Sequence, residues 1–185
     1  MNTRETLNIN ENGHLEIGGC DATTLAAQFG TPLYVMDEEY IRKVASAYLN
    51  SVLSCYGDGE IAYASKAFCT VAMFKLINAL GLSIDVVSAG EIYVAIKAGF
   101  PMERCYFHGN NKTAAELELA VVHGVGVIVA EDFEELSYIS ALAEKNGKRV
   151  RVMLRVNPGI EAHTHESFRP QTSTANLAYN CKALR

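Results

Sequence analysis

From Ile61 onward, short apolar runs alternate with longer amphipathic segments. The runs begin at Ile61, Ser83, Cys105, Val127 and Val150, one every 22 or 23 residues. Each is brief and rich in Val, Ile or aromatic residues, which suits a strand better than a buried helix. The intervening segments repeat apolar positions at helical spacing: Met73, Ile77, Leu80; Ile92, Ala95, Ile96; Leu136, Ile139, Ala143. Ser88, Thr113 and Asp132 each stand three residues ahead of a glutamate (Glu91, Glu116, Glu135). That spacing lets the two side chains satisfy backbone N–H groups at a helix start. Gly81, Gly99, Gly124 and Asn146-Gly147 supply the stops.

Five strands alternating with four helices predict an α/β fold with a parallel sheet and right-handed crossovers. Two architectures share this rhythm. A doubly wound sheet would be complete by residue 156, whereas a (β/α)8 barrel needs three more units. Periodicity alone leaves both open. Ahead of Ile61, HLEIGG and TPLYVM read as short strands around a small helix, DATTLAAQFG, that stops at Gly30. Residues 37–54 read as one helix, with Ile41, Val44, Ala45, Tyr48 and Val52 along one face. The tail 167–185 shows neither period and reads as loop.

Composition narrows the function. With 49% hydrophobic and 20% charged residues, the chain is that of a globular protein. A net charge of −5 argues against a nucleic-acid footprint or a polybasic membrane patch. No run approaches the roughly 18 apolar residues of a membrane span. The polar start, without an apolar signal core, points to a cytoplasmic protein. Five scattered cysteines (20, 55, 69, 105 and 181), never spaced C-x-x-C, read as reduced thiols rather than as disulfides or zinc ligands.

Functional groups in parallel α/β folds collect at the carboxyl ends of the strands. Those ends supply Lys66, then Asp85 with Ser88, then His108 with Asn110 and Asn111. Glu131 with Asp132 and Arg155 with Asn157 follow, and His163 and His165 come shortly after. Neither a phosphate-cradling G-x-x-x-x-G-K-[ST] nor a G-x-S-x-G nucleophile elbow occurs. A lysine in such a ring can pair with an acid, bind an anion, or form a Schiff base, which needs a neutral amine. By position alone an ion pair is its common fate. His14 and His123 read as solvated. His163 and His165 lack a third ligand, so no metal is expected.

Four blocks carry a resemblance: YASKA at 63–67, DVVSAGEIYVAIKAGFP at 85–101, HGNNKT at 108–113 and VNPGIEAHTHE at 156–166. Over residues 30–166 the chain resembles diaminopimelate decarboxylase, an enzyme of fold type III dependent on pyridoxal 5′-phosphate. The resemblance implies a partial (β/α)8 TIM barrel of alanine-racemase type. Residues 1–34 would then belong to a β-rich second domain, and 35–166 to the first part of the barrel. It implies that Lys66 is the catalytic lysine that holds the cofactor as a Schiff base. Ala64 and Asp85 match positions beside the cofactor, and Glu91 and Arg155 match the neighbouring polar network. The HTHE segment at 163–166 resembles a loop near the site mouth. The implied reaction is decarboxylation of meso-2,6-diaminopimelate, a small amino-acid substrate, to L-lysine and CO2 in lysine biosynthesis, by a homodimer.

After Glu166 the pattern departs from the family. The glycine-rich phosphate site, the acid that faces the pyridine nitrogen, and the substrate-side cysteine and tyrosine do not follow. The expectation is a truncated, inactive chain whose tail 167–185 is foreign to the family. The rival readings are an ornithine/arginine-type decarboxylase or racemase of the same fold type, a non-enzymatic pyridoxal-phosphate-binding protein, and a doubly wound binding domain with Lys66 in a salt bridge. The HGNNKT and EAHTHE blocks favour the diaminopimelate enzyme.

Overall fold

Three short strands open the chain as an antiparallel sheet: β1 (Leu7–Ile9), β2 (Leu15–Ile17) and β3 (Cys20–Asp21). The computed structural model describes residues 6–156 and the backbone of 177–179. Helix α1 (Ala22–Phe29) starts where the Asp21 carboxylate accepts from the backbone N–H groups of Thr23 and Thr24, and it ends at Gly30 as expected. His14, expected to be solvated, has a 42% exposed side chain and also donates from Nδ1 to Asp21 at 2.8 Å. The expected strand TPLYVM is not one. Leu33, Tyr34, Val35 and Met36 are exposed, and the segment pairs with no strand among the described residues. Strand-forming residues make a strand only where a partner accepts their backbone groups. Helix α2 (Glu38–Tyr56) is capped by Asp37, buries Ala45 and leaves Tyr48 outside. These elements lie in the first of two compact units, Met1–Ile61.

The second unit, Ala62–Arg185, carries the repeating pattern. Its strands are β4 (Ala62–Ala64), β5 (Ser83–Val86), β6 (Cys105–Phe107), β7 (Val127–Ala130) and β8 (Val152–Val156). Between them run α3 (Val71–Ala79), α4 (Ala89–Ala98), α5 (Ala114–His123) and α6 (Phe133–Lys145). All five strands are parallel and lie in chain order, β4-β5-β6-β7-β8. That order decides between the two architectures. A doubly wound sheet must reverse direction at a switch point. Here every crossover steps the same way, so the right-handed connections put all four helices on one face. The unit is part of a (β/α)8 barrel.

The tail expected to be loop contains β9 (Leu177–Tyr179), antiparallel to β8 with Leu177 opposite Val156. The rest of 167–185, together with Asn157, His163 and His165, lies outside the described residues. No described helix is long and apolar enough to cross a membrane.

Alternation along the strands separates two faces. Ile84, Val86, Cys105, Phe107, Ile128 and Ala130 are buried on the helix side. They share a core with Phe74, Ile77, Ile92, Leu117, Val121 and Ile139 of the helices. Burying each large apolar side chain contributes about 1.5–3 kcal/mol, so this face supplies most of the unit's stability. Asp85, Tyr106, Met153 and Arg155 alternate onto the other face and stay half-buried.

Helix starts place the loops that follow the strands. Thr113 and Glu116 form a reciprocal capping box. Ser88 and Asp132 cap the N–H groups of Glu91 and Glu135, but those glutamates reach one residue further back. Glu91 accepts from the Val87 N–H at 2.6 Å and Glu135 from the Glu131 N–H at 2.8 Å. On the opposite rim, Gly126 donates its N–H to the Met102 carbonyl at 2.8 Å. The chain passes so close there that a Cβ on Gly126 would run into the Glu103 carbonyl.

Candidate active site

Strand β4 runs into a single 3-10 turn, Ser65–Ala67. Ser65 is fully buried, and its hydroxyl donates to the Asp85 carbonyl of the neighbouring strand at 2.7 Å. The Tyr63 hydroxyl donates to the Phe68 carbonyl at 3.0 Å, which ties down the far side of the turn. Held at both ends, the turn presents Lys66, with an exposed side chain, to a concavity of about 800 Å3 over the ends of β4 to β8. Asp85, His108, Glu131 and Arg155 line the same concavity, over a floor that includes Ala62, Val87, Val129 and Met153.

The charges there are mostly paired. His108 donates from Nε2 to Asp85 Oδ1 at 2.9 Å, both side chains being about one-third exposed (32% and 29%). Arg155 Nη1 donates to both oxygens of Glu131, at 2.8 and 3.0 Å. Lys66 has no carboxylate partner among the described residues. At the rim, Glu116 accepts from the Thr113 backbone N–H and hydroxyl and from the Ala89 N–H. The Thr113 backbone bond is the largest cause holding the Glu116 carboxyl below its usual range. Behind the sheet, burial first, and then the charges of Asp85 and Glu91, push the Cys105 thiol up to about 12, so it stays neutral.

Of the residues expected at the site, Lys66, Asp85 and Arg155 meet at the concavity, joined by His108, Asn110, Asn111 and Glu131. Ala64 is half-buried at the end of β4 and does not line it. Glu91 does not line it either, because its carboxylate serves the Val87 N–H. Ser88 and Asp132 cap helices. Among the lining residues that sequence reasoning passed over are Tyr106 and Lys112. The alternation along β6 marks Tyr106 for the face opposite the helices, the same face as Asp85. Nothing in the pattern marks Lys112. Among the described residues no group of three His, Cys, Asp or Glu gathers in a way that could hold a metal ion.

Known proteins are similar to this chain in sequence and fold. The family described as pyridoxal-dependent decarboxylase, pyridoxal binding domain, matches residues 41–181. The diaminopimelate decarboxylase of Bacillus methanolicus is 50% identical over 161 residues, covering 87% of this chain and 37% of its own length. The crystal structure of diaminopimelate decarboxylase from M. jannaschii in co-complex with L-lysine aligns with a TM-score of 0.75 and 33% identity, covering 85% of this chain and 37% of that one. The lysine/ornithine decarboxylase of Vibrio vulnificus, complexed with putrescine, shares the fold alone. Its TM-score is 0.61 and its identity 22%, over 72% of this chain and 35% of that one. The chain thus spans between 35% and 37% of the length of these relatives. It belongs to the pyridoxal-dependent decarboxylases, within their pyridoxal-binding domain, and its similarity there is to the diaminopimelate decarboxylases.

Proposed function

We propose that Lys66 holds pyridoxal 5′-phosphate in the concavity, as part of an enzyme that decarboxylates meso-2,6-diaminopimelate to L-lysine and CO2. The observation that carries this reading is the state of Lys66. The ion-pair role that its position suggests is taken by its neighbours, since Asp85 pairs with His108 and Glu131 with Arg155. Lys66 faces the concavity with no acid attached to it among the described residues.

The residues present fit the cofactor. Lys66 supplies the amine that would hold its aldehyde carbon, and Ala62, Val87, Val129 and Met153 offer an apolar surface for a flat ring. When bound, the cofactor supplies an electron sink for the pair left behind by CO2. The chain's own groups orient and hold charge. The His108 N–H fixes the Asp85 carboxylate beside the Lys66 turn, and the Ser65 bond fixes the Asp85 backbone. Glu131 holds the Arg155 guanidinium at the wall. A lining of mixed sign suits a substrate that carries both ammonium and carboxylate groups. The 50% identity to a diaminopimelate decarboxylase supports this choice of substrate. The same reading assigns residues 1–34 to a β-rich second domain and 35–166 to the first part of the barrel, in a cytoplasmic homodimer.

Reductive labelling tests it. The chain is incubated with pyridoxal phosphate, reduced with borohydride and mapped by mass spectrometry. The expected result is one dominant adduct on Lys66, with an absorbance band near about 420 nm before reduction, both lost in Lys66→Ala. Prior addition of meso-2,6-diaminopimelate is expected to protect Lys66, and ornithine or arginine to protect it less. Labelling spread evenly over surface lysines and unchanged in Lys66→Ala overturns the cofactor assignment. Equal protection by ornithine or arginine overturns the substrate assignment alone.

A further inference from the structure

Lys112 lies in the loop between β6 and α5, yet its side chain is only 1% exposed and that of its partner Glu135 only 11%. Its Nζ is 2.9 Å from Glu135 Oε1 and donates to the Gly109 carbonyl at 2.6 Å, with the Phe107 ring 5.9 Å away. Removing an ammonium and a carboxylate from water costs stability that their attraction repays only in part. An apolar pair of the same volume often holds such a position equally well. A charged pair adds what an apolar pair lacks, which is direction.

That direction reaches the concavity on two sides. On the first, the bond from Lys112 to Gly109 closes the loop that begins at His108. Gly109 sits at a φ of +132°, a conformation reserved for glycine. His108, just before it, donates its backbone N–H to Val86 at 3.0 Å and its ring N–H to Asp85. On the second side, the other Glu135 oxygen accepts from the Glu131 N–H at 2.8 Å, and Glu131 in turn holds Arg155. One carboxylate therefore faces Lys112 with one oxygen and the Glu131 backbone with the other. We propose that Lys112 is a positioning residue: through Glu135 and Gly109 it sets the Asp85–His108 and Glu131–Arg155 pairs that face the concavity. The proposal deepens the reading of that concavity as the cofactor site and rests on it for its functional meaning.

Two variants of the full chain test it by NMR. In Glu135→Gln the amide has one acceptor oxygen, so it cannot serve both Lys112 and the Glu131 N–H as the carboxylate does. Lys112→Met keeps the bulk and removes the charge. In both, exchange of the Glu131 amide is expected to accelerate about tenfold or more. The ring signals of His108 are expected to shift as its bond to Asp85 is reset. A merely structural pair would lower the unfolding midpoint and leave both signals unchanged in the folded variants, which overturns the proposal. If Lys112→Met does not fold, Glu135→Gln decides. In the unsubstituted chain, a Glu131 amide that exchanges as fast as an open loop overturns the proposal regardless of the variants. Borohydride labelling of Lys66 reports separately. Its failure in the unsubstituted chain counts against the cofactor reading, while unmoved NMR signals count against the positioning role.

Discussion

Ser65 and Asp85 are joined across adjacent strands by a hydrogen bond from a fully buried hydroxyl to a backbone carbonyl, 2.7 Å long. The bond lies immediately before Lys66, so it sets where the lysine leaves the strand. Ser65→Ala leaves the Asp85 carbonyl without that donor. The expected cost is about 1–3 kcal/mol in urea unfolding, since a part-buried acceptor loses a donor. Labelling of Lys66 by pyridoxal phosphate should slow in the same variant. An unchanged unfolding midpoint would show that the hydroxyl does not anchor the turn.

Two glycines should respond in opposite directions to alanine. At Gly126 the added methyl meets the Glu103 backbone, which cannot swing aside as a side chain can. Gly126→Ala should destabilise by about 1–3 kcal/mol or more through overpacking. At Gly90, in the first turn of α4, the nearest atom to an added Cβ is Ser88 Oγ at 3.8 Å. Gly90→Ala should stabilise by about 0.4–1 kcal/mol, because it removes freedom from the unfolded chain. Parallel thermal and urea melts of the two variants check both signs.

Acid should act partly through Glu116. Its carboxyl lies lower in the folded chain than the ordinary value of 4.5, chiefly because the Thr113 N–H donates to it. The folded state therefore binds that proton more weakly than the unfolded state. The contribution is present above about pH 4.5 and is lost as pH falls through the folded value. Glu116→Gln should flatten the decline of stability between neutral pH and pH 3, as read from urea midpoints at each pH. A variant whose decline is as steep as that of the parent would rule the residue out as a source of acid sensitivity.

Thiol reactivity should sort by burial. Cys20 and Cys55 are exposed, Cys69 is half-buried and Cys105 is buried. Burial, and then Glu91, raise the Cys69 thiol, and Cys105 is pushed up to about 12. Iodoacetamide at pH 8 should label Cys20 and Cys55 first and Cys69 slowly, with Cys105 reacting only when the chain unfolds. Early labelling of Cys105 in native conditions would mean that the sheet–helix core opens on the timescale of the reaction.

The repeating part of this fold is readable because each element announces itself locally. Strands at Ser83, Cys105 and Val127 begin where the apolar runs begin, and Ser88, Thr113 and Asp132 cap the helices that their positions foretell. Strand order was not readable, because one spacing serves a sheet that reverses and a sheet that keeps turning. The resemblance in YASKA and HGNNKT settled it ahead of the structure. TPLYVM has strand residues but no partner among the described residues, and pairing is a property of two segments. The capping pattern named Glu91 and Glu135 correctly but not which N–H each would reach. Of the site, Lys66, Asp85 and Arg155 were legible from their places at strand ends. Lys112 was not, since a lysine among Asn110, Asn111 and Thr113 looks solvated until the facing helix is placed over it.

The alternation along β5 and β6 has a consequence for how such a chain can change over time. Ile84 and Phe107 lie on the buried helix side, while Asp85 and Tyr106 lie on the opposite, half-buried face. A strand of this kind spells two interleaved texts, one at the even steps and one at the odd. Substitutions in one text are selected for whether the chain folds, and in the other for which molecule it handles. A lineage can therefore revise its chemistry one letter at a time while the letters that keep it folded stand still.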